Sequence, residues 1–352
     1  MSTPQTLAPD SDDTGPPPRL ADTLRGHAAA EAALLQAWRA GRLPHALLLC
    51  GQQGIGKATL AWRLAKFLLA HPNSASPEAR GACDLSLPQN HPVALRVAHG
   101  GHGDISHLHR EWNDKTKRHF TEIRVDDVRR IIDQFHLAPA ETGWRIAIVD
   151  SADDLNRNAA NALLKLIEEP PDHALFLIVS HRPRQLLATL RSRCQRIDLA
   201  PLAMPDLVAV LRSLQPTRAE ADLAAAAAGA HGSVREALER LDDANRDLDT
   251  QLARVLARLP QPDWRDIHML MDKVARAGQE RAFARLVTGL ETYLEEQLQA
   301  GVASQLPLAN LNALAAAKAS MADAISRAEA LNLDRRALVM GLFRDLVAMT
   351  GR

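Results

Sequence analysis

Two short runs in this chain have residue types and spacing suited to phosphate chemistry. The first, Gly51-Gln52-Gln53-Gly54-Ile55-Gly56-Lys57-Ala58, fits G-x-x-x-x-G-K, the pattern of a loop that cradles a di- or triphosphate. A turn of this kind at a helix N-terminus aims several backbone N–H groups at one point, and Lys57 adds a positive charge there. The pattern then calls for Ser or Thr, whose hydroxyl ligates the Mg²⁺ that bridges the phosphates. This chain has Ala58 instead, and Thr59 lies about 100° further around the helix. The loop is therefore expected to bind ATP weakly or not at all, and to be poorly equipped to cleave it.

The second run is Arg145-Ile146-Ala147-Ile148-Val149-Asp150, an apolar strand ending in an acid. Asp150 is placed to reach a metal or its water shell. In many ATPases the next residue is a Glu that orients the attacking water. Here it is Ser151, which is not a useful base at neutral pH. Asp153 and Asp154 lie past the strand end and read as the start of the next turn. Two catalytic roles in one site are thus unfilled, and their agreement says more than either gap alone.

Positioning such a site takes strands that end together and helices that cover them. From about Leu20 to Ala200, short apolar strands alternate with helical patterns, which predicts a parallel sheet covered by helices. The strand candidates are Leu47–Cys50, Val93–Val97, Ile146–Asp150, Leu175–Ser180 and Arg196–Leu199. Leu60, Leu64, Phe67 and Leu68 share one helical face. Val125, Val128, Ile131, Ile132 and Phe135 share a second, and Ala159, Ala162, Leu163, Leu166 and Ile167 a third, stopped by Pro170-Pro171. Residues 1–19, rich in Pro, Ser, Thr and Asp, read as a disordered tail. After Pro201 the pattern is Ala- and Leu-rich helix, broken near Gly229–Gly232 and again near Pro260–Pro262.

Composition narrows the classes. The 352 residues suffice for two or three domains, and Lys+Arg balance Asp+Glu at 42 each. There is then no global field drawing the chain to nucleic acid or anionic lipid. The three cysteines, Cys50, Cys83 and Cys194, are far apart and offer no disulfide framework. Neither a signal peptide nor a membrane-length apolar run is visible, so a cytoplasmic location is expected.

Three further segments carry a family resemblance. Leu155-Asn156-Arg157-Asn158-Ala159-Ala160-Asn161-Ala162-Leu163-Leu164-Lys165-Leu166-Ile167-Glu168-Glu169-Pro170-Pro171 resembles the AANALLK…LEEPP helix of bacterial DNA polymerase III clamp-loader subunits, which are AAA+ proteins. Phe176 to Cys194 resembles their next strand and loop, ending in Ser192-Arg193-Cys194. His45-Ala46 before the glycine loop and His91-Pro92 after its helix also match. The resemblance is dense from about 42 to 200 and weak beyond.

The resemblance implies an α/β AAA+ phosphate-loop domain with a parallel sheet (20–200), a helical lid (201–245) and an all-α collar for oligomerisation (246–352). It implies nucleotide contacts from Gly51, Gly54, Gly56, Lys57, Asp150, Ser180 at a first sensor position and Arg235 at a second, in Gly232-Ser233-Val234-Arg235. It makes Arg193 an arginine finger directed at ATP held by a neighbouring subunit. The implied partners are motor subunits and the delta subunit of a hetero-oligomer within the polymerase holoenzyme, a nucleotidyltransferase, with the sliding clamp and primed DNA reached through the complex. The family often has four cysteines holding zinc, but here only Cys83 lies in that region, so no zinc is expected. The role of the insertion 71–119 stays open. The chain reads as a stator that has lost its own chemistry and keeps what it supplies to a neighbour. The rival readings are an active clamp-loader ATPase and an unrelated phosphate-loop kinase or transferase.

Overall fold

The run Ala46-Leu47-Leu48-Leu49-Cys50 forms strand β1, buried along its whole length. It needs cover on both faces, as the inner strands of a parallel sheet do. The computed structural model describes residues 15–113, 118–136, 143–276, 279–331 and 333–350. Its chain divides into two units, Met1–Glu239 and Arg240–Arg352.

In the first unit, β1 is joined by β2 (Ile105–Leu108), β5 (Arg145–Val149), β6 (Ala174–Ser180) and β7 (Gln195–Asp198) in a parallel sheet of order β2-β5-β6-β1-β7. A separate ribbon pairs β3 (Trp112–Asn113) with β4 (Arg118–His119). The helices are α1 (Ala28–Arg39), α2 (Lys57–Ala70), α3 (Pro77–Gly81), α4 (Pro92–Ala98), α5 (Val125–His136), α6 (Arg157–Glu168), α7 (Ala188–Arg193), α8 (Met204–Leu214), α9 (Glu220–Ala228) and α10 (Val234–Leu241). Helices α5 and α6 lay Val128, Ile131, Phe135, Ala159, Leu163, Leu166 and Ile167 on Ala147, Val149, Phe176 and Ile178. Those are the faces the periodicity predicts. Helix α2 is buried almost all round, Leu60, Leu64, Phe67 and Leu68 included.

One predicted strand is a helix. Val93–Val97 lies within α4, where Pro92 takes the first turn and His91 Nδ1 accepts from the Val93 amide. His91-Pro92 is a helix start, because proline's missing N–H costs nothing there. The strand expected at this place falls later, at Ile105–Leu108, where side chains alternate between the two faces. The expected tail lies outside the described residues over 1–14. Of its remainder, Pro18 and Arg19 enter a 3₁₀ turn, Pro18–Leu20, and Arg19 Nε donates to Ala98 O at 3.2 Å. Residues 114–117 of the insertion also lie outside the described residues.

The second unit contains α11 (Asp243–Leu256), α12 (Trp264–Val274), α13 (Glu280–Ala303), α14 (Leu308–Ala330) and α15 (Arg335–Thr350). Leu252, Val255, Ile267, Leu270, Leu286, Leu290 and Phe343 form its core. Arg285 of α13 is buried and grips Asp249 of α11 with two hydrogen bonds, at 3.0 and 2.7 Å. A Cβ on Gly289 would lie 2.5 Å from Leu252 Cδ2, so α11 and α13 approach closely at that point. No helix among the described residues is long and apolar enough to cross a membrane.

A buried ion pair anchors α1 to α2 in the first unit: Arg63 Nη2 lies 2.7 Å from Glu31 Oε1, both side chains being nearly inaccessible. Truncating one partner strands the other charge, whereas an apolar pair of similar volume avoids the desolvation cost. Glu31→Ala is expected to lower stability by about 3 kcal/mol in urea denaturation, and Glu31→Leu with Arg63→Met by much less.

Candidate nucleotide site

Residues 51–56 connect β1 to α2 at the C-terminal end of the sheet, where ligands of open α/β folds bind. Gly54, at φ +78°, is held in the left-handed region. A side chain there would collide with Ser233 Oγ and lie 2.5 Å from Arg235 Cβ. The lid therefore rests directly on the loop, and only glycine lets it.

All six carbonyls of the loop have partners within the chain. Lys57 Nζ donates to Gly51 O at 2.7 Å and Gln52 O at 2.5 Å. Ser233 Oγ donates to Gln53 O and the Val234 amide to Gly54 O, both at 2.9 Å. His27 Nε2 reaches Ile55 O at 2.6 Å, and the Leu60 amide donates to Gly56 O at 2.9 Å. Lys57 is 3% exposed. Burial pushes its pKa down to about 8, while Asp150 and Asp153 oppose the shift.

A cavity of about 500 Å³ adjoins the loop, lined by Gly54, Gly56, Lys57 and Asp150 together with the apolar Leu24, Leu202, Val210 and Leu238. Its size and its mix of apolar and phosphate-loop lining fit a nucleotide. Ala58 and Thr59 also line it. The alanine brings no metal-ligating hydroxyl, and Ser151, buried after β5, brings no carboxylate. These residues fit binding far better than hydrolysis.

The other expected site residues fall in two places. Asp150 follows β5, its amide donating to Leu108 O at 2.8 Å, and it lines the cavity with Arg235, whose Nε is 3.0 Å from Glu239 Oε1. Ser180 ends β6 fully buried, and its hydroxyl donates to Asp153 Oδ1 at 2.9 Å. Asp153 is the residue that sequence reasoning undervalued. It sits in a 3₁₀ turn, Ala152–Asp154, and also accepts from the amides of His181 at 2.6 Å and Arg182 at 2.9 Å. Burial disfavours its charge, but these three donors outweigh that and hold the carboxyl below its usual pKa. Arg193 lies apart from the loop residues at the end of α7, which Leu190 pins to the core. Its guanidinium is 41% exposed and bonds Glu168 at 2.7 Å and Thr189 O at 3.2 Å. Cys83 is exposed, and among the described residues no three of His, Cys, Asp or Glu are grouped to hold a metal ion. Burial pushes the Cys194 thiol up to about 11, which makes it inert.

A parallel sheet ending in a glycine-lysine loop, with a small helical lid resting on it, defines an AAA+ phosphate-loop protein. A family model described as DNA polymerase III, delta subunit, matches residues 26–203, half of the chain, and the chain belongs to that family. With it the chain joins the clamp-loader subunits of DNA polymerase III. It is 38% identical over 179 residues to DNA polymerase III subunit delta' of Pseudomonas aeruginosa, covering 50% of each chain. It is 30% identical over 250 residues to subunit tau of Escherichia coli K12, covering 69% of this chain and 36% of that one. The chain thus spans about a third to a half of these curated relatives. A solved gamma subunit-related protein of Thermotoga maritima is 16% identical, with a TM-score of 0.42 over 90% of this chain and 99% of that one.

Two tests follow from the loop. Gly54→Ala is expected to cost about 1–3 kcal/mol and to speed hydrogen exchange at the Val234 amide, because the lid can no longer seat. For Lys57, the unfolded amine holds its proton up to about pH 10.5 and the folded one only to about 8. Between those values the unfolded state binds more protons, so stability should rise with pH. Lys57→Met should remove that rise, as read by denaturation at pH 8 and 10.

Proposed function

We propose that this chain is the delta' subunit of the clamp loader, a stator that helps load the sliding clamp onto primed DNA. In this reading it hydrolyses no ATP itself and supplies Arg193 to the ATP of a neighbouring subunit. One contrast carries it: Ala58 and Ser151 leave the chain's own site without a metal-ligating hydroxyl or a base, while Arg193 stands half-exposed at the surface. A guanidinium has five donors in a rigid fork, suited to the charge that develops on a transferred phosphoryl group. Glu168 and the Thr189 carbonyl hold that fork in place in the free chain. The match to a relative named delta' supports the same reading. The partners it requires are motor subunits and the delta subunit in a hetero-oligomer, assembled through the C-terminal helices. Gly51, Gly54, Gly56, Lys57, Asp150 and Arg235 would then form a weak nucleotide site, with Ser180 fixed behind it through Asp153. No zinc is required.

The glycine-lysine loop favours a second reading, an active ATPase subunit of the same loader. ATP turnover separates the two, measured for the chain alone and after mixing with motor subunits. Alone, turnover should not exceed that of Lys57→Ala. In the assembled loader Arg193→Ala should lower turnover while leaving assembly intact, and Lys57→Ala should change it little. Arginine fingers are worth about 10³–10⁵ in rate at the site they serve, and other subunits keep theirs, so the drop in the complex will be smaller. If Lys57→Ala proves the more damaging, the chemistry runs in this chain's own site.

A further inference from the structure

The last turn of α1 holds the insertion through one side chain. Arg39 ends that helix, and Trp38 beside it is buried and packs edge-on against Phe67 of α2 at 5.3 Å. The guanidinium of Arg39 makes three hydrogen bonds to main-chain carbonyls 40 and 43 positions away. Nε and Nη2 both donate to Ala79 O, at 3.1 and 2.7 Å, and Nη2 donates to Ala82 O at 2.5 Å. These carbonyls lie at the C-terminal end of α3, a helix of five residues. The last carbonyls of a helix have no partner within it, and a cation is favoured there. Ser76 caps the other end, its Oγ accepting from the Ala79 amide at 3.1 Å. Between residues 72 and 90 the buried side chains are those of Ala79 and Leu85. That is too little apolar burial to order a stretch of this length, which ordinarily needs a staple such as a disulfide or a metal.

A zinc ion, which the family resemblance brings to this region, does not fit the residues present. Cys83 is the one thiol between residues 71 and 119, and it is exposed. His91 Nδ1 accepts from the Val93 amide at 3.2 Å, so that lone pair is in use. Among the described residues no three His, Cys, Asp or Glu side chains are grouped to hold a metal ion. A structural zinc site takes four such ligands. We propose that Arg39 takes the metal's place: its guanidinium is the clip that orders the insertion from His71 to His91, without zinc and independently of thiol oxidation. Both devices close a loop, but their chemistry differs. A zinc–thiolate staple is lost to chelators, acid and oxidants. A guanidinium is part of the chain, keeps its charge, and presents adjacent donors in a planar fork that can grip neighbouring carbonyls. Lysine offers only a point charge on a flexible stem. Gln89 Nε2, donating to Asp22 Oδ2 at 2.6 Å, adds an exposed second tether. The clip does not depend on which clamp-loader subunit the chain is.

The test is hydrogen exchange of the full chain, read by mass spectrometry over residues 76–86, with and without a zinc chelator. It compares wild type with Arg39→Ala, Arg39→Lys and Cys83→Ser. The amides of Ala79, Arg80 and Ala82 bond Ser76 and Glu78, and in Arg39→Ala they should exchange at least about tenfold faster. Arg39→Lys should fall between that variant and wild type. Chelator and Cys83→Ser should change nothing, and elemental analysis of protein purified without added metal should find no stoichiometric zinc. The proposal is overturned if Arg39→Ala exchanges like wild type, if chelator or Cys83→Ser speeds exchange, or if one zinc per chain is found. It is overturned too if α6 amides such as that of Ala160, which bonds Asn156 O, speed up as much as those of the insertion. Arg39 would then support the whole unit. Should Arg39→Ala fail to fold, Arg39→Lys decides: weakened protection over 76–86 alone supports the clip, and wild-type exchange overturns it.

Discussion

The closure of the lid on the phosphate loop is the constraint on which the first unit's site depends. It consists of two hydrogen bonds, from Ser233 and Val234 to the carbonyls of Gln53 and Gly54, across a contact with no room for a side chain. A loop carbonyl left buried without a partner would cost about 1–3 kcal/mol. Satisfying them from the lid, from Lys57 and from His27 makes the loop a finished piece of structure before any ligand arrives. An ATP-driven subunit gains from a lid whose seat depends on nucleotide, because that dependence couples binding to movement. Here the differential interaction that such coupling needs is partly taken up by the protein itself. This agrees with the proposed role as a fixed member of an assembly.

The ammonium of Lys57 shows the same balance from the electrostatic side. It is buried with only carbonyl oxygens as direct partners, and Asp150 and Asp153 compensate its charge from further off. A phosphate in the loop must compete with those carbonyls for the ammonium. It would gain a Coulombic attraction strengthened by burial, but without a metal held by position 58 much of its own charge stays uncompensated. In the proposed role the loop would tolerate a nucleotide rather than be organised by one.

Much of this was legible in the sequence because the signals were local. The glycine loop, the apolar strands β1, β5 and β6, and the one-sided faces of α5 and α6 are each set within a dozen residues, and the structure has them within a residue or so. The misreading of Val93–Val97 has a local cause as well. Val, Leu and Val in a short run suit a strand, but proline at the first helical position and the His91 cap decide for a helix. What could not be read was convergence. Asp153 looked like the start of a turn because its three donors come from residues 27 to 29 positions away. The contact of Ser233 with Gln53 spans 180 positions and has no periodic trace at all.

The far edge of the sheet has a consequence of its own. Strand β7 pairs with β1 on one side only, and Gln195, Arg196 and Asp198 along it are exposed. Arg196 and Asp198 form an ion pair at 2.7 Å within the strand. Charged side chains on an edge strand deter another chain from adding to it through main-chain hydrogen bonds. The charges on β7 therefore act against sideways growth of the sheet. The edge of the sheet is in this way protected against edge-to-edge aggregation.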